Sequence, residues 1–556
     1  MHNSKLTSYG DEGFSKYIRK AFNRHLGYSI EDMEKPIIGI TNTYSEINRC
    51  HSHIKPLINA IKHGILMAGG IPVEFPVISL AEINTYPTTM LYRNLLSMDV
   101  EEMIQSQPID GVILIGGCDK MTPGLLMGAA SANIPTILVS GGPMKNGEYK
   151  GKTLGACSDC RYYWQEYRAG NIDKEEVENI NAELAPTAGH CMVMGSASTI
   201  SICAEAMGIM LPNGSSIPAT DNERLNHCVE SGKSIVSLVK REVKLSDILT
   251  KESLYNALIA LISVGGSTNT IIHLTAIARR LNIKLPLSMF DEISRKTPVV
   301  ANIRPVGKYQ MEDFHKAGGV PVLLNKLSNL IYKNCITVSG NTINEVISNA
   351  YQQEEYQDII RTKEDAIFNH GGLAVLKGNL APKGAIIKHA SASIKVHKGP
   401  VLIFEGTEDM MNRIDDENLN VTKDTILILR NTGPIGAPGM PEAGYIPIPK
   451  KLLKQGVSDM VRITDARMSG TAFGTIILHT APESAAGGPL KYLKNEDIVE
   501  YNLYKRSLNI EISKEEFLYR EKENNIFKKE HPSRGYKRLY VNNVLQADEG
   551  CDFKFL

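Results

Sequence analysis

The residues best suited to chemistry cluster in GVILIGGCDKMTP, positions 111–123. Val112, Ile113, Leu114 and Ile115 form an apolar run too short for a helix and read as a buried strand. Gly116 and Gly117 let the chain turn sharply, and Cys118, Asp119 and Lys120 follow at the strand's carboxyl end. Ligands and catalytic groups of open α/β sheets collect at that end. A thiolate is a soft ligand suited to iron–sulfur, and a carboxylate is a hard one suited to a magnesium-like ion. The same three residues also have a plain structural reading, as a buried Cys, a helix-capping Asp and a solvated Lys.

Two further cysteines stand in loops among polar residues and glycines: Cys50 in EINRCHSH and Cys191 in TAGHCMVMG. Their separations from Cys118 exclude a local zinc-ribbon or ferredoxin spacing, so the three could meet only through the fold. Three thiolates on a cluster would leave one iron open to act as a Lewis acid. Cys157 and Cys160 form a CxxC, readable as a redox motif or half a zinc site. No second CxxC completes a four-cysteine zinc site, which favours an incidental pair. Glu82, Asp119 and Glu442 lie in or beside loops (ISLAEIN, GGCDK, PGMPEAG), and oxygen ligands from separate loops suit Mg2+. GPIGAPGMPEAG lacks the lysine of a phosphate loop. RMSGTAFG, carrying Ser469, is not a GxSxG elbow.

The elements that must position these residues alternate. PIIGITN, IPVEFP, GVILIG and IPTILVS read as strands, separated by helical patterns over 53–68, 91–106 and 119–133. That alternation predicts a mainly parallel α/β domain. Helices are expected at 173–184, 195–210, 220–242, 250–263, 268–281 and 340–353. From about residue 370 short Val/Ile/Leu runs are punctuated by Gly, Pro and Asn, which predicts a barrel or sandwich-like β domain. The expected division is an α/β domain over 1–368 and a β-barrel-like domain over 369–556.

Composition narrows the class. The chain has 556 residues, 42% hydrophobic and 22% charged, with 61 basic and 61 acidic side chains. A zero net charge offers no basic field for nucleic acid or an anionic membrane. No apolar run approaches a membrane span, and the first 20 residues lack a signal-peptide core. Nine cysteines in such a chain fit reduced thiols in a cytoplasmic protein rather than a disulfide framework.

Taken together, TNTYSEINRC, GGCDKMTPGLLMGAA, IPTILVSGGPM, AGHCMVMGSASTISICAEAMGIMLPNGSSIPA, GGSTNTIIHL, GPIGAPGMPEAG, ITDARMSGTAFG and HTAPESAAGGPL resemble the dihydroxy-acid and sugar-acid dehydratase family, in the family's order. The resemblance implies a homodimer or homotetramer with an amino-terminal α/β domain and a carboxyl-terminal β-barrel-like domain. It implies an iron–sulfur cluster, [2Fe-2S] or alternatively [4Fe-4S], held by Cys50, Cys118 and Cys191. It also implies Mg2+ held by Glu82, Asp119, Glu442 and a carbamylated Lys120, with Ser469 as the base. Water would then leave a 2,3-dihydroxy acid, and the enol product would tautomerise to a 2-oxo acid.

GHCMVMGSAST, RMSGTAFG and the tail RGYKRLYVNNVLQADEGCDFKFL are more similar to the sugar-acid branch, whose substrates are aldonates such as arabinonate, xylonate or gluconate. That tail commonly carries a His where this chain has Asn543. The alternative within the family is 2,3-dihydroxy-isovalerate dehydratase of branched-chain amino-acid synthesis. A non-catalytic iron–sulfur sensor would need the thiolates but neither Lys120 nor Ser469.

Overall fold

A computed structural model describes residues 10–523 and 532–556; positions 1–9 and 524–531 lie outside the described residues. Four parallel strands, β1 (Ile37–Asn42), β2 (Ile71–Pro76), β3 (Gly111–Gly116) and β4 (Thr136–Ser140), form a sheet in the order β2-β1-β3-β4. β1 pairs with β2 from Ile37↔Ile71 and with β3 from Ile38↔Gly111. The chain runs outward from β1 in both directions, so the strand order reverses between β1 and β3. The crevice at the carboxyl ends of such a pair is where a ligand fits. The loops after β1 and β3 carry Cys50 and Cys118.

β3 is buried at all six positions, as its unbroken apolar run requires. Side chains alternate across a strand. Helix Asn222–Lys240 covers one face of β3 through Ile235 and Val239 beside Gly111. Helix Met121–Ala132 covers the other through Thr122 and Leu125 beside Gly116. Helix Ile54–Met67 lies against Asn222–Lys240 so closely that a Cβ on Gly64 would stand 2.0 Å from the Val229 carbonyl, and one on Gly232 2.4 Å from that of Ile61. Glycine is required at both points.

A small hairpin, β5 (Gly147–Tyr149) and β6 (Lys152–Leu154), precedes a helix-rich stretch. Helices Lys174–Glu183, Ser196–Ala206, Asn222–Lys240, Lys251–Ser263 and Asn269–Arg280 match the expected ones. The helix expected over 340–353 is only Ile343–Ser348, where Ile343 and Ile347 alone face the core. Helix Ala156–Ala169, which holds both Cys157 and Cys160, was not expected; it buries only Ser158 and so lacks an apolar stripe.

Eight further strands close a barrel: β7 (Ala374–Gly378), β8 (Ala381–Ile387), β9 (Val396–Glu405), β10 (Ile426–Arg430), β11 (Arg462–Thr464), β12 (Ile476–Ala481), β13 (Ile498–Asn502) and β14 (Ser507–Ile510). Their order is β10-β11-β12-β8-β7-β14-β13-β9. β9, β10, β11 and β12 run parallel to one another. In β10, Ile426 and Ile428 join one core and Leu427 and Leu429 another, which explains its continuous apolar run. After β14 the chain returns to the amino-terminal side. Arg280 Nε meets Asp552 Oδ2 at 2.6 Å in a buried ion pair, and Arg93 Nη2 donates to the carbonyls of Gly550 and Cys551 at 2.9 Å. Asn543 turns its amide back onto Leu539 O at 2.8 Å, within its own helix. No helix among the described residues is long and apolar enough to cross a membrane.

Five imidazoles are buried in the neutral form. Burial pushes His51, His227 and His479 down to about 3, His190 to about 4, and His273 well below the ordinary range. An unfolded chain protonates each near pH 6.5. Between that value and about pH 3–4 the unfolded state binds more protons, so stability falls as pH falls. Glu205 and Glu483, pushed up to about 7 by burial, act in the opposite sense above about pH 4.5 but are outnumbered. The urea midpoint should therefore be lower at pH 5.5 than at pH 7.5; an equal or higher midpoint would contradict neutral burial of these side chains.

Candidate active site

Gly116 ends β3 where a Cβ would strike Thr122 Oγ1 at 2.7 Å, so the strand turns directly into its helix. His51, fully buried, fastens this turn to the loop after β1. Its Nε2 accepts the backbone N–H groups of Gly117 and Cys118, both at 2.9 Å, and its Nδ1 faces Thr43 O at 3.1 Å. Only a neutral ring with the proton on Nδ1 satisfies that pattern. The staple brings Cys50 and Cys118 together. The neighbouring Cys50 thiol, and burial after it, hold the Cys118 thiol well above its ordinary range.

Cys191 reaches the same region by another path. Arg49, beside Cys50, donates to the carbonyls of Ala185 and Thr187, and His190 N–H donates to Gly142 O at 3.0 Å, beyond the end of β4. The Cys191 thiol has Cys157 as its hydrogen-bonding neighbour. That contact lowers its pKa against the opposing effect of burial, aided by the backbone N–H groups of Val193 and Cys157. The structure therefore joins Cys50 to Cys118 and Cys191 to Cys157. Cys160 turns its thiol to the Cys157 carbonyl at 3.3 Å.

The carboxylates converge on Lys120, whose side chain is wholly buried. Its ammonium lies 2.7 Å from Glu442 Oε1 and 3.3 Å from Glu82 Oε2, and it also bonds Asp119. Glu82 sits on the turn Glu82–Asn84 after β2 and accepts from Thr88 Oγ1 at 2.6 Å and from Thr89 N–H at 3.1 Å. Glu442 comes from the loop between β10 and β11. Its Oε1 also accepts from Asn269 Nδ2 at 2.9 Å and from Arg467 Nη1 at 3.1 Å. Burial works against ionisation of Glu442, but Lys120 and then Arg467 hold its carboxyl down at about 2. Burial favours the neutral amine of Lys120, yet Asp119, Glu442 and Glu82 raise its pKa above the ordinary lysine range.

Cys118 Sγ stands 3.5 Å from Asp119 Oδ1, so the soft and hard donor sets share a wall. Among the described residues, no three His, Cys, Asp or Glu side chains form a ready cation cage; the Lys120 ammonium occupies the centre of the carboxylates. A positive charge already stands where an oxygen-ligated cation would, and the hard donor set fits Mg2+.

Ser469 lies two residues after Arg467, in the loop between β11 and β12. Its hydroxyl shares a hydrogen bond with Thr471 Oγ1 at 2.9 Å, and Thr471 Oγ1 donates to Cys157 O at 3.2 Å. The next residue, Gly470, packs on the opposite domain: a Cβ there would stand 2.5 Å from Ser267 Cβ and 3.1 Å from Ser196 N. Ser267 and Ser196 share a hydroxyl hydrogen bond at 2.8 Å, and Asn269 Nδ2 donates to Ser196 Oγ at 3.0 Å. One polar network thus runs from the Lys120 cage to Ser196 and Ser267, on which the Ser469 turn packs. Because Asn269 Nδ2 faces a carboxylate, its Oδ1 is the remaining acceptor, buried and without a partner.

His51, Arg467, Asn269 and Cys157 were not singled out as site residues from the sequence. Arg467 and Asn269 lie inside ITDARMSGTAFG and GGSTNTIIHL, which was their available signal. Nothing in the spacing placed Cys157 beside Cys191.

Residues 35–346 match the family described as dihydroxy-acid/6-phosphogluconate dehydratase N-terminal, and residues 358–551 match its C-terminal counterpart. The chain is 44% identical over 531 residues to a 6-deoxy-6-sulfo-D-gluconate dehydratase of Pseudomonas putida, covering 95% of this chain and 91% of that protein. It is 42% identical over 555 residues to an L-arabinonate dehydratase of Rhizobium leguminosarum bv. trifolii, covering 99% and 95%. A dihydroxy-acid dehydratase of Halothermothrix orenii is 37% identical over 554 residues, covering 97% and 98%.

Replacing Lys120 with Met would leave three carboxylates converging on an apolar side chain. Removing one partner of a buried ion pair typically costs about 3–5 kcal/mol. Metal-free Lys120→Met protein should lose stability on that order in urea denaturation. Unchanged stability would show that the carboxylates do not depend on this cation.

Proposed function

The chain belongs to the dihydroxy-acid/6-phosphogluconate dehydratase family and is a hydro-lyase, and we propose that it dehydrates a sugar acid to the 2-keto-3-deoxy acid. The observation that carries this reading is the adjacency of thiol and carboxylate sites at Cys118 and Asp119, with the Ser469 turn packed, at Gly470, on the Ser196 that Asn269 links to Glu442. Cys50, Cys118 and Cys191 would hold an iron–sulfur cluster. Glu82, Asp119, Glu442 and Lys120 as its carbamate would hold Mg2+. Carbamylation would turn the central cation into an oxygen ligand. When bound, the cluster supplies a Lewis acid for a hydroxyl leaving group and Mg2+ supplies positive charge for the substrate carboxylate and C2 oxygen.

The protein's own groups perform the remaining work. Ser469, as alkoxide, takes the C2 proton. The electrons of that C–H bond form the C2–C3 double bond, and the C3–O bond breaks with its pair leaving on oxygen. Proton and hydroxide depart as one water, and the enol becomes the 2-oxo acid. Arg467 holds Glu442 and the turn at Thr88 in register through its 3.1 and 3.2 Å contacts. Burial of Lys120 and Arg467 keeps bulk water out and strengthens each charge interaction.

Asn269 Oδ1, buried without a hydrogen-bond partner beside Glu442, is an acceptor that a substrate hydroxyl could satisfy. The relatives named for sulfogluconate and arabinonate support the sugar-acid branch. We further propose a homodimer or homotetramer.

The deciding test is turnover, with cluster and Mg2+ loaded, of arabinonate, xylonate and gluconate beside 2,3-dihydroxy-isovalerate. At least one aldonate should yield its 2-keto-3-deoxy acid with kcat/KM above that for the branched substrate. Activity confined to 2,3-dihydroxy-isovalerate would reject the sugar-acid reading.

A further inference from the structure

Among the fully buried Lys and Arg side chains, Lys388 is set apart by its partners. Lys120 lies among three carboxylates, Arg467 binds Glu442, and Arg462 binds Asp459 at 2.9 Å. Arg224 and Arg93 donate to several neutral oxygens each, the Gly214 and Ile217 carbonyls for one and Asn94 and two tail carbonyls for the other, and each also feels a carboxylate, Glu205 and Asp552 respectively. Lys388, 1% exposed, donates to one neutral oxygen, the carbonyl of Gly470, at 2.9 Å. A cation buried without an anion is costly to the fold. A group retained at such a cost is a candidate for function.

The position supports that role. Lys388 directly follows β8, whose last residue Ile387 pairs with Ile477 of β12 and Ala374 of β7, so its backbone is fixed on both sides. Its acceptor belongs to the residue next to Ser469. The opposite side of Gly470 lies against Ser267 and Ser196. The turn is thereby gripped between a barrel lysine and the amino-terminal domain, while the serine hydroxyl itself has only the Thr471 hydroxyl as its hydrogen-bond partner among the described residues. A serine alkoxide needs fixed positive charge nearby, and a charge in a dry interior acts over several ångströms.

We propose that Lys388 is a positioning residue for Ser469, clamping the Gly470 carbonyl to aim the serine and supplying the buried positive charge that favours its alkoxide. This rests on the reading of Ser469 as the base. Burial as its only resolved influence lowers the Lys388 amine to about 7, which agrees with the lack of an anionic neighbour; an alkoxide at Ser469 would be the anion that favours its protonated form.

The experiment compares Lys388→Met, Lys388→Gln, Lys388→Arg and Ser469→Ala with wild type, all loaded with cluster and Mg2+, on the best aldonate. Lys388→Met and Lys388→Gln should each lower kcat by about a hundredfold or more while KM changes by less than about threefold. Iron content should hold, and the melting temperature of Lys388→Met should stay or rise, because an unpaired buried charge is gone. Lys388→Arg should recover at least about tenfold of the lost kcat, and adding Lys388→Met to Ser469→Ala should cost little more. Near-normal kcat in both neutral variants, with Ser469→Ala inactive, would overturn this inference and leave the serine assignment standing. An active Ser469→Ala would overturn both. A fall in kcat matched by lost iron or lower melting temperature in both neutral variants would make Lys388 structural and also overturn the proposal.

Discussion

The structure depends on one electrostatic arrangement, a lysine ammonium buried among three carboxylates that come from different parts of the chain. Glu82 follows β2, Asp119 follows β3, and Glu442 reaches in from the barrel loop between β10 and β11. Burying any one of these charges alone would cost several kcal/mol, a large share of a folded domain's stability. Lys120 and Arg467 together offset all but one of the three negative charges. The site therefore exists only when the barrel is seated against the sheet.

Several other features serve that seating. Arg467 reaches from the barrel to Thr88 on the amino-terminal side, and Asn269 reaches from its helix to Glu442. The carboxyl-terminal tail returns to bury Asp552 against Arg280, with Phe553 and Tyr540 packed on Met90, Leu91 and Ile272. The tail thus ties the barrel's far end to the helices that frame the crevice. Cys50 and Cys118 are arranged within the sheet domain alone through His51. Ser469 and Cys157 meet across the boundary through Thr471. The Cys50–Cys118 side thus lies within the amino-terminal domain, and the serine side is shared across the boundary.

The sequence made the sheet and its chemistry legible for a clear reason: β3 is an uninterrupted apolar run ending in two glycines and three functional residues. The barrel was legible only as a class, because short strands with turn signals suit a sandwich equally well and closure depends on nonlocal pairing. The segment DIVEYNLYKRSLNIEIS shows this: its two strands, β13 and β14, fold back on each other at Leu503–Arg506. The resemblance implied Cys50, Cys118 and Cys191 as one set and Glu82, Asp119, Glu442 and Lys120 as another; the structure gathers the second set around Lys120, and sets Cys50 beside Cys118 but Cys191 beside Cys157. The proximity of Cys157 to Cys191 arises from a helix with no apolar stripe to announce it. Lys388 follows an ordinary apolar strand, and only the fold reveals that its charge is buried beside Ser469.

The central claim is that Ser469 removes the C2 proton at this junction of two domains. Solvent-deuterium exchange at C2 of bound aldonate measures that step directly, whatever the rate of water loss. Ser469→Ala protein should keep its cluster spectrum, Mg2+ content and folding, because the lost oxygen leaves only a small void, and should lose C2 exchange by about a hundredfold or more. Exchange at the wild-type rate in that variant would remove the serine from the reaction.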